Sequence, residues 1–579
     1  MSCSNLLFRD LPYTVEVNAG SLVQKIVGLF KVISRLDYFI PQAKATAPLA
    51  NKPRLTITDD GQDKYPSGLF HIGLMKDFPD VGKSLQRCPE PAIDAFKEGP
   101  HLIAWLSQYG IGNVFLKKAV QTKVYPFYEL VEIDELGAST PPRPTTCDDG
   151  LVLDFRDLEE YEYKEDYEPY GGIAFCTVDE SKNLKLAWLV TPRSTRQILP
   201  QEKTQAFRRA ESMIVSSLYF SVIAGKHLSN IHMTYNLLEV AAHNSFDVKL
   251  NENRASGSGV AYNGHPLRLY LYIHLFSHGL AEEMTTEHLV QEGAVFSQVF
   301  ALKYDSLCNY LTREYTNFTY ASDENFEYRE KIMEPLKKVT AERYGPPVSS
   351  AVEWEKDYFD IFSIYADGMA KTIYFSDHEV REDAALQSFY KALACVLNKM
   401  PERYEKFQSV KGVARFMADT TQHLVVRHQF YGTTAVSAAM DPRLGSTQTP
   451  KDGGPPAVDE YRSLAMVALA TAYANFVHII ADPNENPDSM EQRPLEDIFD
   501  DATPVSTKRG HNRQDLVSGM KKAWNVMQES LKTLNDKWIN DTHHTYKTRE
   551  RVSPSNWKTD INYMYCRPLP EDLHTGPGY

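Results

Sequence analysis

The chain has 579 residues, of which 42% are hydrophobic and 24% charged, and its formal net charge is −14. This composition is typical of globular proteins, and the length allows either several domains or one large domain with an appendage. The acidic residues are dispersed, and a phosphate-binding surface would need concentrated lysine and arginine. We therefore expect no nucleic-acid partner.

Cysteine use and apolar runs indicate where the protein resides. The seven cysteines are scattered and form no CxxC pair, which favours a reduced chain without a disulfide framework. The N-terminal residues lack the apolar stretch of a secretory signal, and no apolar run approaches the ~20 residues of a membrane span. We expect a cytoplasmic protein without a transmembrane segment. The sequence does not indicate its oligomeric state.

The first part of the chain, to about residue 200, has a mixed character. Residues 53–58 (PRLTIT) have the composition of a strand. Residues 171–192 predict a hairpin, since the turn residues DESKN separate two apolar, β-prone runs.

Beyond about Lys203 the pattern changes to long amphipathic segments with helical spacing. The clearest lie at 206–242, 265–284, 460–481 and 516–540. Segments rich in Gly, Pro, Asn and Asp separate them at 251–264, 441–456 and 482–494. We expect a large, mainly α domain with short antiparallel strands on its N-terminal side and no domain linker inside it.

Two pairs of histidines lie five residues apart in apolar, helix-like runs. They are His227 with His232 and His423 with His428. On a straight α-helix, residues five apart point to different sides, because neighbours on one face are three or four apart. A π-bulge would bring them together, and such bulges gather at functional sites. Each pair is thus either coincidental or part of a metal site.

The remaining histidines favour other roles. We expect His265, which precedes a proline, to cap or precede its helix. His274 and His278 share a helix face, and a packed or hydrogen-bonded role is expected for both. His543 and His544 lie in a polar segment and are expected to be exposed.

Several motifs resemble, in order, those of the lipoxygenase family. They are the hairpin at 174–192, the helix ending in His-x4-His at 206–232, the His-Pro helix at 265–280 with the GAVF segment after it, the helix TTQHLVVRHQFYG at 420–432 and the aromatic, Pro-rich tail containing YMYCRP. The resemblance covers about residues 170 to 579. It implies a helical catalytic domain at 171–579, with residues 1–170 as a mixed segment integrated into that domain. We do not expect the family's lipid-binding PLAT β-barrel in residues 1–170, as in the compact fungal members of the family.

The resemblance implies a single non-haem iron or manganese ion. Its first ligands would be His227, His232 and His423. The family completes the site with an Asn or His four residues after the third histidine and with the terminal carboxylate, here that of Tyr579. The implied reaction inserts O2 into a polyunsaturated fatty acid or another apolar diene.

The sequence departs from the family at two of these positions. Arg427 stands where the fourth ligand is expected, and a guanidinium has no lone pair to donate. Its charge would also repel the ion, at about 4 kcal/mol per unit-charge product for ~4 Å and a dielectric of ~20. A second π-bulge would let His428 serve instead; otherwise His428 faces neighbouring side chains. The chain ends in Tyr579 rather than Ile or Val.

Three functions remain open at this point. The first is a lipoxygenase-type dioxygenase using Fe or Mn, O2 and an apolar substrate. The second is a metal-independent cyclase or isomerase (a Diels-Alderase-like pericyclase) of a fungal secondary-metabolite pathway. In that enzyme Arg427 would be the catalytic donor or the partner of a substrate carboxylate. The third is a non-catalytic lipid-binding protein.

Overall fold

A computed structural model describes about half of the chain. The described residues are 101–118 (without 109), 132–133, 150–179, 184–200, 205–246, 265–275, 296, 299–317, 351–396, 400–439, 445–452, 479–480, 513–541, 568, 570 and 573.

A six-stranded sheet lies on the N-terminal side. Its strands are β1 (Lys117–Lys118), β2 (Glu132–Ile133), β3 (Leu151–Asp154), β4 (Ile173–Val178), β5 (Leu184–Val190) and β6 (Arg196–Ile198). Their spatial order is β1-β3-β4-β5-β6-β2, and neighbours are antiparallel except for the parallel pair β6-β2. The predicted hairpin is confirmed as β4 and β5, where the Phe175 and Trp188 rings stack at 4.8 Å. The strand predicted at 53–58 lies outside the described residues.

Helices make up most of the described chain, as predicted. They are α1 (Leu102–Gln108), α2 (Gln205–Phe220), α3 (Thr234–Phe246), α4 (Pro266–Leu275), α5 (Tyr304–Asn317), α6 (Ala351–Ile373), α7 (Asp377–Glu382), α8 (Ala384–Val396), α9 (Val410–Thr421), α10 (Ala435–Ala439) and α11 (Arg513–Asp541). Three π-helical segments are inserted among them: the first at Ser221–Met233, the second at Gln422–Arg427 and the third at Phe430–Thr434.

Helices α6 and α11 pack against each other along one face of each helix. Each buries a stripe of large side chains spaced three or four residues apart, which is the pattern of an amphipathic helix facing a core. The stripes are Tyr358, Phe362, Tyr365 and Met369 on α6, and Met520, Trp524, Met527 and Leu531 on α11. The Tyr365 and Trp524 rings meet edge to face at 5.8 Å. This packing fixes the position of the buried face of α6.

Helix α9 leads directly into the second π segment. Ser409 caps its start by accepting a hydrogen bond from the Gly412 N–H at 2.9 Å. Near its end, the buried carboxylate of Asp419 accepts hydrogen bonds from Arg403 and from the Tyr404 hydroxyl. These contacts tie the helix to the preceding 3-10 turn and fix the direction in which it enters the π segment.

The described residues of the C-terminal tail are packed into the fold. Leu573 is fully buried, and its carbonyl accepts a hydrogen bond from the Ile479 N–H at 2.8 Å. The Tyr358 hydroxyl of α6 donates to the Pro568 carbonyl at 2.7 Å. The terminal residue, Tyr579, lies outside the described residues.

One cysteine contradicts the expectation of a chain without disulfides. Cys308 is disulfide-bonded, whereas Cys176 is a free, buried thiol. Disulfides persist mainly in oxidising compartments, so the expectation of a cytoplasmic location loses its main support. In the part of the chain that the structure describes, no helix combines the length and the apolar character needed to cross a membrane.

Candidate metal centre

The first π segment brings His227 and His232 together. It is continuous with α2 before it and α3 after it, so the three form one long, largely buried helical rod. The wider π turn places residues five apart on the same side, which is one of the two alternatives that the sequence left open. The two imidazole rings meet edge to face at 4.6 Å, and their Nε2 atoms are 3.0 Å apart.

His428 joins this pair from the other histidine helix. It lies between the second and third π segments, and its Nε2 atom is 3.0 Å from the Nε2 of His232. One nitrogen from each of the three histidines lies within 4.8 Å of the other two, in a group that could hold a metal ion. We refer to His227, His232 and His428 as the histidine triad.

The donor set of the triad fits a metal ion. Two nitrogens at right angles around one ion, each bonded at about 2.1 Å, would be about 3.0 Å apart, which is the spacing observed. Hydrogen bonds alone satisfy the group poorly, since the Nε2 of His232 has either one proton or one lone pair to share between two neighbours. A cation facing all three nitrogens would use every lone pair at once.

His227 is in the protonation state that metals require. All three side chains are buried. Burial, together with the neighbouring His232, lowers the pKa of His227 well below its ordinary value. This imidazole is therefore neutral at physiological pH, which is the form that binds metal ions.

Arg427, at the position of the expected fourth ligand, points to a buried carboxylate. Its Nε and Nη2 atoms donate to the Oε2 of Glu355, on α6, at 3.2 and 3.0 Å. Glu355 is fully buried and Arg427 nearly so. Burial opposes the charge on Arg427, but Glu355 more than offsets this and raises the pKa of the guanidinium. The positive charge of Arg427, which would repel a metal ion, is thus neutralised by the carboxylate of Glu355.

His423, expected from the family resemblance to be a ligand, contacts Arg427. The Nη1 atom of Arg427 lies 3.1 Å from the His423 Nε2. His423 is not in the group of converging histidines found among the described residues. Burial and the charge of Arg427 lower its pKa well below the ordinary value, so this ring is neutral as well.

Of the four histidines considered as metal ligands from the sequence, the structure therefore brings three together and leaves the fourth outside the group. His227, His232 and His428 converge, whereas the Nε2 of His423 faces Arg427. Sequence reasoning missed Glu355, because "EWEKD" at the start of α6 is an ordinary run of helix charges. The usable signal was Arg427 itself, since a guanidinium in an apolar helix requires a buried anion.

A glycine lies against the triad. A Cβ atom on Gly432 would come within 2.5 Å of the Nε2 of His227, closer than real Cβ contacts allow. The third π segment can therefore approach the His227 ring only because position 432 has no side chain.

The other described histidines have structural roles. His265 caps α4 as predicted, accepting a hydrogen bond from the Leu267 N–H at 3.1 Å, and its Nε2 lies 2.7 Å from a carboxylate oxygen of Asp383. His274 is buried against the Tyr270 and Trp524 rings, in the packed role expected for it. The predictions for His278, His543 and His544 fall outside the described residues.

Comparisons with known proteins identify the architecture. No protein-family model matches the chain, and no curated protein sequence does. Solved structures do match. The crystal structure of the Delta413-417:GS variant of a lipoxygenase superposes with a TM-score of 0.60, covering 99% of this chain and 76% of its own at 12% identity.

A manganese lipoxygenase superposes with a TM-score of 0.58 and 12% identity, covering 92% of this chain and 86% of its own. The anaerobic structure of the Delta413-417:GS variant in complex with arachidonate gives a TM-score of 0.55 and 11% identity, covering 87% and 73%. The fold is that of the lipoxygenases. The family resemblance seen in the sequence and the mainly α fold class are thus confirmed. At this identity, the agreement extends to the lipoxygenase fold alone.

Proposed function

We propose that this protein is a lipoxygenase-type dioxygenase. It uses one non-haem iron or manganese ion and O2 to oxidise a polyunsaturated fatty acid or another apolar diene. The observation that carries the proposal is the convergence of three buried Nε2 atoms, from two π-helical parts of a lipoxygenase fold, at the spacing of metal ligands.

The triad would hold the ion. His227, His232 and His428 each offer an imidazole nitrogen, a ligand suited to both iron and manganese sites of this type. The ion would supply one-electron redox chemistry for removing a hydrogen atom from the carbon between two double bonds. The surrounding residues exclude water from the triad, since the three rings are almost completely buried. Tyr579 remains a predicted ligand through its α-carboxylate.

The proposed substrate is a long apolar molecule. The helices around the triad bury many apolar and aromatic side chains beside a number of polar ones, and a site for such a molecule requires mainly apolar walls. A lipoxygenase of the same fold has been crystallised with arachidonate. The choice between iron and manganese stays open, because the structural neighbours include a manganese lipoxygenase.

Residues on both sides of position 170 are proposed to form one catalytic unit. Side chains from before that position, such as Leu106 and Leu153, belong to the same buried cluster as those of the helices that carry the triad. This continuity supports the predicted integration of residues 1–170 into the domain of 171–579.

The test combines metal analysis with oxygen consumption. Purified wild-type protein is expected to contain about one Fe or Mn per chain and to consume O2 with linoleate or arachidonate. His232→Ala should lose both properties, because it removes the nitrogen adjacent to both other ligands. His378→Ala is the control, since His378 is exposed and pairs only with Glu382 among the contacts described.

A protein that binds neither metal after loading and stays active in chelator without O2 would refute this proposal. That outcome would favour the metal-independent cyclase. The structure by itself does not favour this alternative. Arg427 was the residue expected to serve such a cyclase, but its charge is directed to Glu355.

A further inference from the structure

Glu355, Arg427 and His423 form a continuous buried chain beside the triad. Arg427 donates from Nε and Nη2 to Glu355, and its Nη1 lies 3.1 Å from the Nε2 of His423. All three side chains have less than one-twentieth of their surface exposed.

The hydrogen bond between Arg427 and His423 has only one possible direction. A guanidinium has donors and no acceptor, so the Nε2 of His423 must accept with its lone pair. That ring consequently carries its proton on Nδ1. The lone pair that would bind a metal ion is already in use.

The helical run after α9 thus carries two histidines, but only His428 directs its Nε2 atom toward the triad. His423 and His428 are five residues apart on the same helical run, as are His227 and His232. The Nε2 of His428 faces His232 at 3.0 Å, whereas that of His423 faces a cation.

We propose that the Glu355–Arg427 pair selects the third ligand of the metal site, by engaging His423 and leaving His428 to complete the triad. This inference rests on the proposed function, since it concerns the ligands of the same ion. Glu355 and Arg427 act here as positioning residues. Glu355 fixes the guanidinium by two hydrogen bonds to one oxygen, and the guanidinium in turn holds the imidazole.

The pair also explains how an arginine is tolerated beside a metal site. An unpaired guanidinium would turn toward any available acceptor, including the triad, and would repel a divalent cation. Directed to Glu355, it contributes to a neutral pair instead. Replacing Arg427 by Asn and Glu355 by Gln would keep the pair neutral while releasing the His423 lone pair.

The first arm of the experiment compares the two candidate ligands in the native background. Metal-free His423→Ala and His428→Ala proteins are titrated with Mn2+ and Fe2+, and bound metal is counted. We expect His428→Ala to bind more than about 100-fold more weakly than wild type, and His423→Ala to stay within about tenfold, as for residues outside the ligand set. Circular dichroism verifies that both variants retain their helices.

The second arm tests selection. In the Glu355→Gln/Arg427→Asn background, His428→Ala should regain most of the lost metal affinity, because His423 is free to bind. Adding His423→Ala to that triple variant should abolish the recovery. If the double-substituted background fails to fold, equal losses of metal affinity in His423→Ala and His428→Ala in the first arm still overturn the inference.

The outcomes separate this inference from the proposed function. If wild type binds metal and His423→Ala loses it as fully as His428→Ala, the inference is overturned while the proposed function stands. The same holds if the released His423 gives no recovery in a folded background. If wild type binds no metal at all, the proposed function fails and the inference fails with it.

Discussion

Arg427 illustrates how one residue changes the chemistry of a site. A guanidinium lies one residue before a triad histidine, and the interior tolerates it because Glu355 lies within hydrogen-bond distance. Buried ion pairs contribute little net stability, yet breaking one by removing a single partner is costly, because a charge is left buried without compensation.

Removing only one charge of this pair should therefore destabilise the protein strongly. We expect Glu355→Gln to lower the free energy of unfolding by about 3–5 kcal/mol. Glu355→Gln combined with Arg427→Asn should recover part of that loss, because no unpaired charge remains. Urea unfolding of the two variants and wild type measures both effects. A double variant less stable than the single one would contradict this account.

Gly432 controls the approach of the third π segment to the triad. We expect Gly432→Ala to displace the His227 ring, because the new methyl would lie 2.5 Å from its Nε2. Metal affinity should fall by at least about tenfold while the helical content is retained. Metal titration and circular dichroism measure the two quantities.

The matched control is Gly368→Ala. Its methyl would lie 3.1 Å from the Cβ of Ala523, at the contact between α6 and α11 and away from the triad residues. It should leave metal affinity unchanged. An equal loss in both variants would mean that the effect of Gly432→Ala is a general one on packing.

At the scale of elements, one buried carboxylate joins four helices. Asp383 lies between α7 and α8, and its Oδ1 accepts from the Leu386 N–H at the start of α8. Its Oδ2 accepts a hydrogen bond from the Tyr374 hydroxyl after α6, and the Nε2 of His265, at the start of α4, lies 2.7 Å from it. Burial alone would raise the pKa of Asp383, but His265 and these hydrogen bonds lower it to about 2.

This carboxylate should make part of the stability depend on pH. Because its pKa is lowered on folding from 3.8 to about 2, the stabilisation is complete above about pH 5 and is lost as the pH falls. It amounts to about 2 kcal/mol at neutral pH, of which about 1 kcal/mol is lost by pH 3. Asp383→Asn should thus be less stable than wild type at pH 6, and the difference should narrow by pH 3. Urea unfolding at the two pH values tests this. A difference that stays constant with pH would contradict it.

At the scale of the whole molecule, the metal would join distant parts of the chain. His227 and His232 lie about two hundred residues before His428, and the three nitrogens meet only in the folded state. An ion that binds the native state alone stabilises it by mass action.

Metal binding should therefore raise the thermal stability of the chelator-treated protein. At an ion concentration of about 1,000 times Kd, the native state gains about 4 kcal/mol. A thermal scan with and without Mn2+ or Fe2+ should show a higher Tm with the ion, and His428→Ala should show no such rise at that concentration. A rise of the same size in the variant would indicate binding elsewhere.

Local patterns were sufficient for much of the architecture. The hairpin of β4 and β5 follows from two β-prone runs around a polar turn, and α2 and α11 follow from apolar residues at helical spacing. The five-residue spacing of His227 and His232 left two alternatives, coincidence or a π-bulge, because no regular α-helix brings such residues onto one face. These features depend on neighbours along the chain and are therefore visible in the sequence.

The sequence by itself determined the helical class, the lipoxygenase-like order of motifs and the four histidines that compete for the site. Only the tertiary structure decided which of them meet, because that depends on how α6 packs across the helix that carries His423 and His428. Glu355 lies 72 residues from Arg427 and holds its guanidinium. A buried charge needs a partner in space, and the position of that partner is set by packing rather than by distance along the chain.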